Sequence, residues 1–128
     1  MTECKRTESA TISRLDSGVV LFEPHSGARI GQEQAVDNNH AISTLAGDTP
    51  VLLIARIGGI VHMDRHAREL SARYADDHYR KVALVVGNPM SRMLAGFFVG
   101  LNKPTVPTRT FSDDASAVAW LLETRSDT

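Results

Sequence analysis

Polar side chains occur at two points of the sequence where a predicted helix begins soon after an apolar strand. Arg65 and His66 follow one strand, and Asn88, Ser91 and Arg92 follow another. A helix N-terminus presents free backbone N–H groups and the positive end of the helix dipole, which together favour an anion. Open α/β sheets place their ligands at the carboxyl edge, where both helix starts are expected. These residues are therefore the candidate ligand-binding site.

A structural role for the same residues remains an open alternative. Ser91 offers a hydroxyl that can cap a helix, and Asp64 suits an N-cap that also pairs with an arginine. In that case the side chains stabilise the helix starts and bind no ligand.

The spacing of histidine and serine does not favour a metal site or hydrolase chemistry. His62 and His66 are four residues apart, but His62 precedes the expected cap at Asp64, so the two do not share a helix. Ser91 lacks the G-x-S-x-G elbow that exposes a nucleophile. We therefore predict no metal, no cofactor and no catalytic residue, and we rank an enzyme below a binding or interaction protein.

The elements that would position the candidate site alternate between strands and helices. The apolar, β-branched run at residues 82–86 predicts a strand buried on both faces, as in parallel sheets. Pro89 ends this strand, and Ser91 is expected to cap the next helix. The apolar face predicted for that helix consists of Met90, Leu94, Phe97, Phe98 and Leu101.

The remaining pattern predicts an α/β fold in the order ββαβαβαβα, with a mixed sheet, an initial hairpin and crossover helices. The hairpin is centred on Asp16, Ser17 and Gly18. Strands 51–57 and 82–86 are expected to be adjacent, central and parallel, and Pro107 pushes strand 106–111 to an edge. The other expected elements are strands 11–15 and 19–23, helices 32–46 and 65–75, and a last helix capped by Ser112 or Asp113.

Two helix surfaces are also predicted. The polar run at residues 37–40, in the middle of helix 32–46, is expected to face solvent. The last helix is expected to bury a stripe of apolar residues, namely Ala115, Val118, Ala119 and Leu122.

Size and charge limit the classes of protein. A chain of 128 residues predicts a single domain, residues 11–125, after a disordered polar tail at residues 1–10. A net charge of −1 argues against nucleic acid, and the apolar runs are too short to span a membrane. The start of the chain lacks the apolar segment of a signal peptide, and Cys4 is the sole cysteine, so we expect a cytoplasmic protein.

The segment from Arg56 to Ala67 resembles the STAS fold, the family of sulfate-transporter tail domains and anti-sigma-factor antagonists. Gly59-Ile60 and Asp64 align with the family pattern of a strand, a Gly-containing turn and an Asp at a helix start. Antagonists of this family carry a phosphorylatable Ser directly after that Asp. The equivalent residues here are Arg65 and His66, so the resemblance implies a domain without the usual phosphorylation switch.

The rest of the chain resembles a group of small bacterial STAS-like proteins of uncharacterised function. The shared motifs are Gly-x-Pro-x-Ser-Arg at residues 87–92, Phe-Phe-x-Gly-Leu-Asn-x-Pro at 97–104, Pro-Thr-Arg-x-Phe at 107–111 and Ala-x-x-Trp-Leu at 117–121. The resemblance covers nearly the whole chain and concerns fold more than function.

The resulting hypothesis is a non-enzymatic interaction or regulatory module that lacks the phosphorylatable serine. The alternative is a domain that binds a small anionic ligand or a lipid at the carboxyl edge of the sheet. We also expect a homodimer, because the hairpin edge contains no proline and the partly exposed apolar residues Phe22, Phe111, Trp120 and Leu121 suit an interface. A monomer is the alternative if the N-terminal tail covers that edge.

Overall fold

A computed structural model describes residues 3–47, 50–96, 98–99 and 106–123. The strands are β1 (Glu3–Arg6), β2 (Ala10–Arg14), β3 (Val20–Pro24), β4 (Ala28–Ile30), β5 (Val51–Arg56), β6 (Ile60–Met63), β7 (Tyr79–Val85) and β8 (Thr108–Phe111). The helices are α1 (Gln32–Ala46), α2 (Arg65–His78), α3 (Pro89–Gly96) and α4 (Asp114–Leu121), and a 3-10 turn spans Ile57–Gly59.

The predicted α/β fold is confirmed, with a central six-stranded sheet in the order β1-β2-β3-β5-β7-β8. Strands β5 and β7 are adjacent and parallel, with Leu53 opposite Val82 and Ala55 opposite Leu84. Strand β8 forms one edge, as predicted from Pro107, but it begins at Thr108, so Pro107 precedes the strand and does not lie inside it. The run from β3 to β8 is parallel throughout, so helices must connect its strands.

The predicted hairpin is also confirmed. Strands β2 and β3 pair antiparallel, with Ile12 opposite Phe22. Gly18 has a φ of 91°, a left-handed conformation that glycine adopts without steric cost. The N–H of Gly18 donates to the carbonyl oxygen of Leu15 at 2.9 Å and closes the turn.

The predicted disordered tail is wrong for Glu3–Arg6, because these residues form strand β1. This strand pairs antiparallel with β2, with Lys5 opposite Ile12. The backbone groups that β2 leaves free at the hairpin edge are the physical reason, since an unpaired strand edge is a template for another strand. Residues 1–2 and 124–125 lie outside the described residues, and the domain limits at 11 and 125 stay a prediction.

Strands β4 and β6 form a second, two-stranded parallel sheet that the sequence pattern did not predict. Both are only three or four residues long, which leaves too little alternation to reveal a strand. Together with the 3-10 turn, β6 separates the start of α2 from the end of β5. Helix α2 therefore begins beside β4, where the N–H of Asp64 donates to the carbonyl oxygen of Ile30 at 3.1 Å.

Helix α1 has the bounds that the sequence predicted, but its polar centre is only half solvated. Asp37 and His40 are exposed, whereas Asn38 and Asn39 are buried. The prediction of a solvated surface is therefore wrong at the two asparagines. The side chain of Asn38 bonds to Thr7 and Ser9, so hydrogen bonds within the protein replace those to water there.

The buried face of α4 also differs from the predicted stripe. Ala117 and Leu121 are buried, whereas Ala115, Ala119 and Leu122 are exposed. The expectation that Leu121 is partly exposed for an interface is therefore wrong, because it packs in the core with Ile54 and Ala83. Alanine carries too little apolar area to determine which face of a helix is buried, so Leu121 and the aromatic neighbours decide it.

Candidate functional site

Asn88 and Ser91 form a reciprocal cap at the start of α3. The side-chain oxygen of Asn88 accepts from the N–H of Ser91 at 2.8 Å, and Ser91 Oγ accepts from the N–H of Asn88 at 3.1 Å. Asn88 is therefore the N-cap, Pro89 occupies the first helical position and Ser91 the third. The prediction that Ser91 itself caps the helix is wrong by three residues.

The same two side chains anchor α3 to the sheet. Asn88 Nδ2 donates to the carbonyl oxygen of Gly58 at 3.0 Å, which joins the helix start to the turn after β5. Ser91 is fully buried, and its Oγ also accepts from the N–H of Gly87 and donates to the carbonyl oxygen of Asn88. These bonds occupy both side chains and hold the start of α3 in place.

The start of α2 has the predicted cap. Asp64 Oδ1 accepts from the N–H of Ala67 at 2.9 Å. Arg65 pairs with Glu69 one turn later, with Nε 3.1 Å from Oε2, and 82% of its side-chain surface remains exposed. His66 is exposed beside it. An exposed pair of this kind contributes little to stability, on the order of 0.5 kcal/mol or less.

The two helix starts line different parts of the surface. Arg92 is exposed and lines a groove of about 530 Å³ with Arg109, Thr108 and Thr110 of β8. Neither Arg65 nor His66 lines this groove. The intervening strand β6 explains the separation, because it carries the start of α2 onto the second sheet.

An ion-pair cluster that the sequence did not reveal occupies the carboxyl edge of the central sheet. Arg56, the last residue of β5, contacts Glu23 of β3 through Nη1 at 2.8 Å. Its Nε and Nη2 both bond to the carboxylate of Asp114 in α4, in a two-pronged arrangement. Hydrogen bonding to Asp114 raises the pKa of Arg56, against the opposing effect of burial.

The cluster makes the centre of this edge acidic. Two carboxylates surround one guanidinium, and Asp113 adds a third carboxylate whose pKa is lowered by hydrogen bonds from Ser116. An anion is therefore disfavoured beside Arg56, although open α/β sheets commonly bind ligands at this edge. In the sequence, Arg56 stands at the end of a buried strand shortly before two glycines. This position did not indicate that Glu23 and Asp114 would be its ion-pair partners.

Part of the predicted helix that contains Arg92 lies outside the described residues. This applies to Phe97, to Leu101 and to the predicted helix exit at residues 102–104. Leu94 is buried as predicted, whereas Met90 of the expected apolar face is 45% exposed.

The described residues contain no group of three or more His, Cys, Asp or Glu side chains placed to hold a metal ion. Within the same residues, every helix is too short or too polar to cross a bilayer.

The fold is similar to that of a solved protein from Shewanella loihica PV-4. That protein is described as an uncharacterized protein of the DUF3478 family with a SpoIIAA-like fold. The similarity covers 94% of this chain and 92% of that one, with a TM-score of 0.60 and 16% sequence identity. The chain therefore has a SpoIIAA-like fold, which confirms the STAS-like resemblance of the sequence.

A second solved protein, of unknown function, comes from Arthrobacter sp. FB24. It is 22% identical over 92% of this chain and 96% of that one, with a TM-score of 0.32. No curated protein matches the chain. The model of one protein family matches residues 13–125, which is most of the sequence. The chain belongs to this family, whose description is "Domain of unknown function (DUF7793)".

Proposed function

We propose that the domain is a non-enzymatic interaction module that binds a second copy of its own chain and has no serine phosphorylation switch. The observation that carries this proposal is a pair of exposed methionines, Met90 and Met93, on one side of α3. Their exposed fractions are 45% and 60%, and Met93 is the most exposed large apolar side chain among the described residues.

The helix that presents the methionines is held firmly at its start. The reciprocal cap and the bond from Asn88 to Gly58 fix α3 against the 3-10 turn, and Ser91, Leu94 and Ala95 are its buried residues. Methionine is flexible and polarisable, and it is common at surfaces that bind other proteins. Two copies of one helix face can meet about a two-fold axis, the commonest symmetry of homo-oligomers.

The edges of the sheet favour this helix face over strand pairing. Strand β1 covers the hairpin edge that the sequence left open, and Glu3, Lys5 and Arg6 are charged residues on the new edge. Charges on an edge strand oppose pairing with another chain. The proposed homodimer therefore forms through α3 and not through pairing of edge strands.

Light scattering at micromolar concentration tests the interface. One chain has a mass of 13.9 kDa, and we expect about twice that mass for the native protein. Met93→Glu should return the mass to that of one chain, because it places a charge in the contact. Val61→Glu is the matched control, since Val61 is 45% exposed on β6, and it should leave the dimer intact. A single-chain mass for the native protein, unchanged on tenfold concentration, would exclude the proposal.

The first turn of α2 supports the absence of a switch. After the cap at Asp64 come Arg65, His66 and Ala67, none of which carries a hydroxyl. Incubation with a serine kinase of the anti-sigma type should leave residues 64–67 unmodified, and mass spectrometry of the digested chain reads this directly.

A second candidate function is the binding of a small anion beside Arg92. The groove there presents the exposed Arg92 with Thr108 and Thr110 beside Val86, Ala95 and Val99, and the guanidinium favours an anionic group. Arg109 also lines the groove, but its guanidinium stacks on the rings of Phe111 and Trp120. Arg92→Ala should weaken sulfate binding without lowering the melting temperature, whereas Arg65→Ala, which removes the arginine paired with Glu69, should not affect binding. Equal sulfate binding by the native chain and Arg92→Ala would exclude this site.

We place the domain in the cytoplasm because its one cysteine, Cys4, cannot form an internal disulfide.

A further inference from the structure

A cavity of about 90 Å³ lies between the central sheet and the helices α1 and α2. On the sheet side it is lined by alternate residues of two strands, Leu53 and Ala55 of β5 and Val82 and Leu84 of β7. Alternate residues of a strand share one face, so this is the face that α1 and α2 cover. The cavity shares Thr108 with the groove beside Arg92, and no residue of the ion-pair cluster at Arg56 lines it.

The size of the side chains on α2 explains why space remains. This helix lines the cavity with Ser71, Ala72 and Ala75, which are all small. On the sheet side, Ala55 of the central strand β5 is the one small residue beside larger ones such as Leu53 and Leu84. Larger side chains at any of these positions would fill the volume, as they do in most protein interiors.

One polar group in the cavity wall has no partner. Asn39 of α1 lines the cavity and is 7% exposed, and its Nδ2 makes no hydrogen bond among the described residues. Leaving a buried amide N–H without an acceptor costs free energy, and native proteins do so at few positions.

The side-chain amide of the preceding residue, Asn38, is by contrast hydrogen-bonded within the protein. Asn38 Oδ1 accepts from Thr7 Oγ1 at 2.6 Å and from Ser9 Oγ at 3.2 Å, and Asn38 Nδ2 donates to Ser9 Oγ at 3.0 Å. The two asparagines are adjacent and similarly buried, yet only Asn39 keeps free donors beside a cavity.

We infer that the cavity is a binding site for a small apolar molecule that carries one hydrogen-bond acceptor, such as the carbonyl oxygen of a short ketone. Asn39 Nδ2 donates to that oxygen, and the walls of Leu, Val, Ile and Ala contact the hydrocarbon part. The inference is independent of the interaction surface on α3.

The volume and the chemistry of the walls limit the ligand. A dry engineered cavity of about 150 Å³ holds benzene, so 90 Å³ suits about four or five non-hydrogen atoms. Ser71, Tyr79 and Thr108 also line the cavity and carry hydroxyl groups, but hydrocarbon forms most of the wall. A mainly apolar molecule with one acceptor therefore suits the cavity as a whole better than water does.

Methyl-detected NMR titration of the full chain with 2-butanone tests the inference. We expect saturable shifts at Ile42 and Leu53, which line the cavity, and none at Ile54, which lies on the opposite face of the sheet. The comparison probe is 2-methylbutane, which has a similar size and no acceptor. Absence of saturable shifts with 2-butanone would overturn the inference.

The ratio of the affinities for the two probes isolates the role of Asn39. The native chain should prefer 2-butanone, and Asn39→Leu should reduce this preference on the order of fivefold, the effect of one hydrogen bond. A change in cavity volume affects both probes alike and cancels in the ratio. If the leucine in Asn39→Leu excludes both probes, the smaller side chain in Asn39→Val allows the same ratio of affinities to be measured. An unchanged preference in these variants would overturn the inference.

Filling the cavity provides an independent control. Ala72→Leu should abolish the binding of both probes, and Ser71→Val is a smaller change that should weaken both if the first variant does not fold. Full binding by a folded Ala72→Leu variant would place the probes elsewhere and contradict the assignment.

Discussion

Helix α4 covers one face of the central sheet, and helices α1 and α2 cover the other. On the α4 face, Leu121 and Ala117 pack against Ile54 and Ala83, with Trp120 and other large side chains around them. On the α1 and α2 face, the small residues of α2 leave the cavity beside Asn39. The same strands support both faces, so the difference arises from the helices.

This difference in packing between the two faces shows that the positions of small side chains determine where a cavity remains in the domain. An alanine on α4 lies among large partners, whereas the alanines of α2 line the cavity. Close packing around the first alanine leaves no room for a larger side chain, while the second position has room. Substitutions that change side-chain volume on the α4 face and on the α1 and α2 face therefore test whether the two faces differ in packing.

The largest effect is expected for Leu121→Ala on the α4 face. Leu121 is 1% exposed, so the substitution removes buried apolar contacts and leaves a new cavity. We expect the free energy of unfolding to fall by about 3 kcal/mol, as measured by urea denaturation. Leu122→Ala is the matched control, because Leu122 is 40% exposed and its truncation should cost less than about 0.5 kcal/mol. Equal losses in the two variants would contradict the described face of α4.

A smaller effect, caused by added rather than removed volume, is expected when one substitution is made on both faces. Ala117 is fully buried on α4, and Ala117→Val should lower the free energy of unfolding by about 2 kcal/mol through overpacking. Ala75→Val adds the same methyl groups to the cavity wall on α2 and should be close to neutral. The intrinsic helix propensity cost is the same for both, so the difference reports packing. Equal losses would mean that the cavity face has no room.

The smallest effect concerns the pH dependence of Tyr79, which lies at the cavity. Burial raises the pKa of the Tyr79 phenol, so the folded chain keeps its proton above pH 10, where an unfolded tyrosine loses it. The unfolded state then binds fewer protons, and the free energy of unfolding falls as pH rises above about 10, by roughly 1.4 kcal/mol per pH unit.

Urea denaturation between pH 9 and 11 measures this slope, and Tyr79→Phe should lose the part that Tyr79 contributes. The same dependence in both chains would show that the Tyr79 phenol ionises normally in the folded state.

The sequence predicted most of the fold because several elements carry strong local signals. Helix α1 and the hairpin at Gly18 combine periodicity with a clear stop or turn, and their positions agree with the prediction. The strand β1 and the short strands β4 and β6 lack such signals, since each is three or four residues long and forms only by pairing with another segment.

The candidate site was predicted less well, for reasons of geometry. The pattern placed Ser91 at a helix start, but it could not show that Asn88 forms the cap and that both side chains bond within the protein. It also could not bring Arg56 to Glu23 and Asp114, which come from distant parts of the chain. Burial of Asn39 was missed because a polar residue in a helix is usually solvated.

Whether the Asn39 amide is unpaired beside the cavity is tested most directly by paired leucine substitutions at positions 38 and 39. Asn38→Leu removes the hydrogen bonds that Asn38 makes with Thr7 and Ser9, and it should lower the free energy of unfolding by about 2 kcal/mol in urea denaturation. Asn39→Leu removes an unpaired donor and should leave the free energy of unfolding equal or higher. A loss in Asn39→Leu as large as that in Asn38→Leu would show that the Asn39 amide is already bonded within the protein, and would contradict the account.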